Sequence, residues 1–421
     1  MNRTLDQWLE YQLSTHPQAI AMGLERVREV AKRMDLLRLP CPLITVAGTN
    51  GKGSTIAFIE AIARASGLQT GVFTSPHFLL YNERIRLNGI DISDAALVAA
   101  FEAIELARAE IPLTYFEFGT LAGIYIFAKS DLDLVVLEVG LGGRLDAINI
   151  LDADVSVITT VDLDHQAYLG NDRETIGLEK AGIMRSGKPC IIGEKDPPSS
   201  VLRYAYEHGV YCVRGYSDYL IDVFDDHWVW REPGFCLELP YPTLKAPVQI
   251  QNAACAIAAL RALPLDIAKS AWAEGIVNTQ VTGRLQTWRC EPEVILDVAH
   301  NPQSVAQLLL WLTENPKPTV AVFSALNDKD IAGMLRQMAP AIKHWYVGVL
   351  SEPAGRCFDL TQWAHLLAEV LPKNAYTLHE NIPVAYAQAL ATNQGERLLV
   401  FGSFHTLEAI MRIPQQDAVR V

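Results

Sequence analysis

Long apolar runs are missing from this 421-residue chain; nothing in it approaches the ~20 apolar residues a helix needs to cross a bilayer. Positive charge is also in short supply. Thirty-five Lys and Arg stand against 48 Asp and Glu, a formal net charge of −13, which argues against a nucleic-acid or membrane partner. Any anionic ligand must therefore meet positive charge gathered locally. Cysteine is sparse and scattered, at Cys41, Cys190, Cys212, Cys236, Cys255, Cys290 and Cys357. No CxxC pair occurs, so neither a zinc ribbon nor a disulfide scaffold is suggested, and free thiols fit a reducing cytosol. The first residues, MNRTLDQWLEYQL, lack the apolar centre of a signal peptide. Internal repeats and low-complexity tracts are absent too. A cytoplasmic protein is the expectation.

Half of the chain is hydrophobic and a fifth charged, ordinary for a well-packed protein, and its length exceeds what one hydrophobic core usually serves. Two domains are expected. Helical spacing covers 4–13 and 24–37, and a buried strand follows at 43–47. A helix at 54–66, a strand at 70–74 and a short strand and turn at 84–89 come next. Helices at 93–109 and 117–129 precede strands at 133–139 and 154–161, then a helix at 172–185 and a strand at 189–193. Strands without polar alternation, separated by helices, predict a mostly parallel sheet covered on both faces. Between 199 and 247 a helix gives way to short aromatic-rich strands (YLIDVF, HWVWRE, FCLELP), read as a small antiparallel appendage. Helices follow at 251–263 and from about 266. Beyond a boundary near Arg289, strands at 293–298, 319–323, 344–349 and 397–401 alternate with helices at 302–313, 330–341, 359–370 and 382–393. The fold class is α/β: a P-loop domain over 1–288 and a Rossmann-like domain over 289–421.

The densest chemical signal is LITVAGTNGKGST at 43–55. A strand runs into a glycine-rich turn that opens a helix, a geometry that aims backbone N–H groups and the helix dipole at a phosphate. Gly48, Gly51 and Gly53 remove Cβ atoms from the approach, with Thr49 and Asn50 between them. Lys52 supplies a point charge, and Ser54 or Thr55 a hydroxyl for Mg²⁺. The spacing departs from the strict Walker A pattern, because Gly53 separates the lysine from the hydroxyl. Glu138 interrupts the apolar run LVVLEVG; it is either neutralised by a nearby cation or a metal ligand. His165, beside Asp164, and Ser75 also sit just past strand ends, where open parallel sheets collect ligands. Each has an ordinary alternative, a structural donor for the histidine and a turn for Ser-Pro. Lys180 reads by default as a solvated helix lysine, and Asn252 as a helix cap. Arg284, Asp297 and His300 cluster near the domain boundary, with Asp297 closing a strand.

GTNGKGST, SPH, TYFEFGT, LEVGLGGRLDA, LDH, EKAGI, QNAA, GRLQ, DVAHNP and GSFHT recur in this order, and with them the chain closely resembles the bacterial folylpolyglutamate synthase/dihydrofolate synthase enzymes, relatives of the Mur ligases. The resemblance spans about residues 20–412. It implies an ATP- and Mg²⁺-dependent ligase that joins L-glutamate to dihydropteroate or a reduced folate. By that resemblance Gly51, Lys52, Gly53 and Ser54 hold phosphates, and Ser75, Glu138 and His165 join Ser54 as ligands of two Mg²⁺ ions. Lys180 matches a lysine carbamylated in the family, which would put anionic oxygens beside the metal where an ammonium would be repelled. Lys52, His165 and Lys180 are the implied catalytic set. Asn252, Arg284 and Asp297 match ATP contacts, and His300 is nucleotide-proximal. Thr114, Tyr115, Phe116 and Glu117, with Arg144, Leu145, Asp146 and Ala147, match pteroate-contacting segments. The run IAMGLER at 20–26 matches another, through Ile20, Met22, Gly23 and Arg26; Ala21 stands where an aspartate that hydrogen-bonds the pterin is expected.

The implied chemistry makes a poor electrophile reactive: the γ-phosphate of ATP turns the carboxylate into an acyl phosphate, which the glutamate amine attacks. The second domain is expected to bind glutamate and close over the first, and the enzyme to be a monomer that carries out both activities. Competing readings are a single activity, a Mur-type ligase of a UDP-linked peptide, a P-loop switch or transport ATPase, and a non-catalytic binding module. TYFEFGT counts against the second of these, and the two-domain plan against the third.

Overall fold

A computed structural model describes residues 3–16, 21–351 and 355–414. The chain forms two compact units, Met1–Thr243 with Ile250–Thr279, and Leu244–Gln249 with Gln280–Val421.

In the first unit eight strands form one sheet: β1 (Leu43–Ala47), β2 (Thr70–Phe73), β3 (Ile85–Leu87), β4 (Ile90–Asp91), β5 (Leu134–Glu138), β6 (Val155–Ile158), β7 (Pro189–Ile192) and β8 (Tyr211–Arg214). Their order is β4-β3-β2-β5-β1-β6-β7-β8, and every pairing from β2 to β8 is parallel. β1 and β5 are buried along their whole length, as fits strands covered on both faces. β3 and β4 close a hairpin on Asn88 and Gly89, both at positive φ, the backbone that a two-residue turn of matching twist demands. The aromatic-rich stretch forms a separate antiparallel sheet, β9 (Leu220–Val223), β10 (Trp228–Glu232) and β11 (Phe235–Leu239), as expected.

The second unit holds β12 (Gln286–Arg289), β13 (Val294–Leu296), β14 (Thr319–Phe323), β15 (Trp345–Gly348), β16 (Tyr376–His379) and β17 (Arg397–Phe401), in the order β12-β13-β17-β14-β15-β16. All pairs are parallel except the edge pair β12–β13. Because β12 pairs with β13, the segment before Arg289 folds with the second unit. Phe323 anchors this core with Trp345, Trp363 and Phe401, at ring-centroid separations from 4.9 to 6.0 Å.

Several elements are shorter than their periodicity suggests. The helix expected over 24–37 is Glu25–Arg33: Asp35 enters the left-handed region and the Leu36 N–H returns to the Ala31 carbonyl, a C-terminal cap. The helix expected over 172–185 is Arg173–Ala181, ending where Gly182 packs so closely on Arg144 that a Cβ would fall 2.4 Å from that side chain. The helix placed near 266 begins at Lys269. The strand expected over 154–161 leaves the sheet after Ile158, and residues 159–162 instead wrap the glycine-rich loop.

Candidate active site

β1 lies between β5 and β6, with Val46 beside Glu138 and Ala47 beside Ile158, so the loop after β1 emerges where the chain's connections diverge to either side. Open parallel sheets bind ligands at this position. Two glycines there are required by geometry. A Cβ on Gly48 would fall 1.9 Å from Thr159 Oγ1; on Gly51, whose φ is +87°, it would fall 2.6 Å from Asn252 Oδ1. A Cβ on Gly53 would have no neighbour within 4 Å among the described residues. The helix Lys52–Ala65 starts with no side chain capping it. Lys52 Nζ donates back to the carbonyls of Gly48 (3.0 Å) and Thr49 (3.4 Å). Beneath the helix start, Ser54 Oγ and Thr55 Oγ1 are buried and make no hydrogen bond to the described residues.

The loop is held from β6. Thr49 N–H donates to Thr160 O (2.8 Å), Asn50 N–H to Thr160 Oγ1 (3.1 Å), and Thr159 Oγ1 to Asn50 O (2.6 Å). Asp162 N–H donates to Thr49 Oγ1 at 2.9 Å. In the sequence Thr159 and Thr160 carry one signal only, a hydroxyl pair at the end of an apolar strand.

Glu138 ends β5, is 5% exposed, and accepts the Ser75 N–H at 3.0 Å, which brings two expected metal ligands together. Ser75 opens a loop fixed by Glu83, whose carboxylate accepts the N–H groups of Phe78, Leu79 and Leu80 at 2.7–2.8 Å. His165 adopts a left-handed backbone (φ +50°) and stands next to Asp164, with Nε2 4.0 Å from Oδ1. Lys180 is buried, contrary to its default solvated reading. Burial, then the Lys52 charge, lowers its pKa to about 7 against the pull of Asp164, Asp146 and Glu194. Lys52, Asp146, Asp164 and Lys180 thus share one electrostatic neighbourhood. Asp146 is buried as well, and burial raises its carboxyl to about 6 although Leu141 N–H (2.8 Å) and Ile148 N–H (3.1 Å) donate to it.

Among the described residues no three His, Cys, Asp or Glu side chains are grouped to hold a metal ion. The expected set has only two such side chains, Glu138 and His165, and relies for the rest on the Ser54 and Ser75 hydroxyls and on Lys180. It fits a hard cation through the unpartnered Ser54 hydroxyl, the buried Glu138 carboxylate and an amine near neutrality.

The expected acceptor segments also converge. Glu117 caps its own helix through Thr114 N–H (2.7 Å) and pairs with Arg26 at 3.0 Å. Arg26 donates in addition to the Ala21 carbonyl at 2.9 Å, so the backbone at this departure from the family run is held although the aspartate is absent. Gly23 is at φ +139° and Met22 approaches the Gly142 position; Ile20 lies outside the described residues. Tyr115 meets Tyr81 edge-on at 5.4 Å, and Phe116 lies so near Gly140 that a Cβ there would be 2.6 Å from its ring. Arg144 pairs with Glu179 (2.8 Å), Leu145 is partly exposed, and Ala147 is buried at the start of a 3-10 turn.

In the second unit Asp297 is half-buried just after β13, and desolvation raises its carboxyl pKa. It accepts Leu285 N–H (2.9 Å) and Ala299 N–H (2.8 Å), which fixes the turn that bears Arg284. Arg284 lies 6.0 Å from the centre of the Phe404 ring, and His300 is held by Nδ1 against Val298 O at 2.8 Å.

Residues 46–219 match the model of the Mur ligase middle domain, and residues 283–404 that of the Mur ligase glutamate ligase domain. Fold and site therefore define a Mur-type ligase. The chain is 42% identical over 414 residues to the dihydrofolate synthase/folylpolyglutamate synthase of Escherichia coli strain K12, covering 97% of this chain and 95% of that one. A solved structure of the E. coli protein with DHPP and ADP superposes with a TM-score of 0.92 at 41% identity, over 98% of this chain and 97% of that one. A bifunctional folylpolyglutamate synthase/dihydrofolate synthase with Mn, AMPPNP and L-glutamate bound gives 0.89 at 41% identity, over 97% of each chain. The chain belongs to the dihydrofolate synthase/folylpolyglutamate synthase family.

Proposed function

We propose that this protein uses ATP to join L-glutamate to dihydropteroate and to reduced folates. The observation that carries the reading is the convergence on one loop of an uncapped helix start, Lys52, an unpartnered buried Ser54 hydroxyl and the Glu138–Ser75 pair. The relatives solved with ADP, AMPPNP, Mn, DHPP and glutamate support the choice of ligands.

On this reading the amides opening the Lys52–Ala65 helix and the Lys52 ammonium bind the phosphates, once Lys52 releases the carbonyls of Gly48 and Thr49. Ser54, Ser75, Glu138, His165 and Lys180 hold two Mg²⁺ ions, with Lys180 as its carbamate. Bound metal neutralises charge on the transferring phosphoryl group. The acceptor carboxylate attacks the γ-phosphorus and ADP leaves; the glutamate amine then attacks the acyl carbon, and phosphate departs with its bonding pair, a phosphate oxygen taking up the amine proton. Asn252, Arg284 and Asp297 contact ATP, with His300 near the nucleotide. Met22, Gly23, Arg26, the segment 114–117 and the segment 144–147 hold the pterin-bearing acceptor. The protein works as a monomer in the cytoplasm without nucleic-acid or membrane partners.

Radiolabelled glutamate incorporation, compared on dihydropteroate and on a reduced folate monoglutamate, tests the function. Incorporation with both supports two activities, and incorporation with neither rejects the folate reading. Activity on the folate alone favours the second reading, polyglutamylation only, which Ala21 motivates. For Lys180, ¹³C-bicarbonate should yield a carbamate resonance that Lys180→Arg abolishes; an unchanged spectrum rejects the modification.

A further inference from the structure

Val161 is apolar and follows the run of β6, yet it lies beyond the end of the strand and is fully buried. Its backbone groups need partners, and two charged side chains supply them. Arg173 Nε donates to Val161 O at 2.8 Å, while Glu194 Oε1 accepts Val161 N–H at 3.0 Å. The two side chains close the ring with each other, Arg173 Nη2 to Glu194 Oε2 at 2.9 Å. Arg173 also donates to Asp196 O at 3.0 Å. An ion pair thus satisfies both backbone groups of one residue, across the two peptide bonds that flank it.

Four parts of the site meet at this point. The segment leading into Val161 grips the glycine-rich loop through Thr159 and Thr160, and the segment leading out reaches His165 four residues later. Arg173 begins the helix that carries Lys180. Glu194 follows Gly193, whose carbonyl accepts Gln251 Nε2 at 2.7 Å from the residue preceding Asn252. Packing at that junction is close: a Cβ on Gly193 would sit 2.4 Å from Cys255 Sγ and 2.9 Å from Thr159 O. A shift of the Val161 peptide would move the loop, His165 and Asn252 relative to one another. A planar guanidinium facing a carboxylate resists such a shift because both partners use two contacts in fixed directions.

We propose that Arg173 and Glu194 are a positioning pair for the phosphate and metal end of the site, setting the register between the Lys52 loop, His165 and Lys180 without touching substrate. The inference rests on the ATP-dependent ligase reading. Outer-shell partners of this kind typically account for ~10–100-fold in activity or metal affinity.

Arg173→Met, Arg173→Lys, Glu194→Gln and the double variant Arg173→Met/Glu194→Gln test it. Glu194→Gln keeps the shape but turns an amide N–H₂ or an amide oxygen to partners that need a carboxylate. Each single variant should lower kcat about 10-fold or more and raise the Mn²⁺ concentration for half-saturation by a similar factor, while KM for folate and for glutamate stays within about twofold. The double variant should lose no more than the worse single one, because either change opens the same ring. Arg173→Lys, which keeps the charge without the fork, should recover little. Mn²⁺ binding to the enzyme–AMPPNP complex, followed by electron paramagnetic resonance without turnover, should weaken in parallel. Unchanged kcat and Mn²⁺ affinity would overturn the proposal, as would multiplying losses in the double variant or losses that merely track a falling Tm. If the wild-type protein incorporates no glutamate into either acceptor, the ligase reading fails, and the Mn²⁺ measurement still decides whether the pair organises the metal end.

Discussion

Gly51 and Gly67 flank the two ends of one helix, Lys52–Ala65, with nearly equal backbone angles, φ +87° and +85°, and so form a matched pair for testing the nucleotide loop. Gly67 closes the C-terminal end, where its N–H returns to Arg64 O and Leu68 N–H to Ala63 O. Alanine at either position enters the left-handed region at roughly 1–2 kcal/mol, offset by ~0.4–1 kcal/mol from a less flexible unfolded chain. A Cβ at Gly67 meets no described atom within 4 Å, so Gly67→Ala should cost about 1 kcal/mol and leave activity intact. At Gly51 the same Cβ lies 2.6 Å from Oδ1 of buried Asn252, roughly 0.8 Å inside ordinary contact. Relief requires moving Asn252 or the loop, which adds ~1–3 kcal/mol of strain. Displacements approaching 1 Å at a reacting site lower rates by ~10²-fold, so Gly51→Ala should reduce kcat/KM for ATP by about 10–100-fold. Urea unfolding gives the stability differences, and a coupled ADP-release assay gives the kinetics. If Gly51→Ala behaves like Gly67→Ala in both, the geometric argument for a nucleotide loop is wrong.

Glu83 gathers three successive amides, and Glu83→Gln puts an N–H₂ donor in place of the oxygen that accepts either Phe78 N–H or the N–H groups of Leu79 and Leu80. The expected loss is about 1–3 kcal/mol, with faster hydrogen exchange at amides 78–80; unchanged exchange there would refute the loop's dependence on this carboxylate. In the second unit the hydrogen bond from Lys343, followed by the Gln394 N–H, holds the Glu396 carboxyl at about 2, below its ordinary 4.5. A carboxyl depressed in the folded state stabilises fully above its unfolded value and loses that contribution as pH falls through the folded one. Glu396→Gln should therefore cost ~1 kcal/mol at pH 7, with the gap closing between pH 4.5 and 2. A gap independent of pH in urea titrations would contradict the assignment.

The parallel sheets, the antiparallel appendage, the glycine-rich loop and the family were legible in the sequence because each depends on local pattern: apolar runs with no polar alternation, glycine at a strand–helix turn, short motifs in order. Element ends were less so. Val161 reads as strand because it is apolar, but its hydrogen bonds go to Arg173 and Glu194, 12 and 33 residues away. Periodicity carries no information about such partners.

Lys180 marks the limit most clearly. On a helix with a polar face it reads as solvated, and only folding buries it near Lys52, Asp146 and Asp164, where desolvation outweighs the attraction of the acids. Asn252 likewise reads as a helix cap, but it lies inside the helix Gln249–Arg261 and the fold sets it against Gly51, some two hundred residues earlier. Residue order alone settled which elements form and what chemistry their motifs can offer, since backbone preference and short-range spacing act within a few residues. Tertiary structure decided which charges share a low-dielectric neighbourhood and which glycines have no room for a Cβ, because both depend on distances between segments remote along the chain.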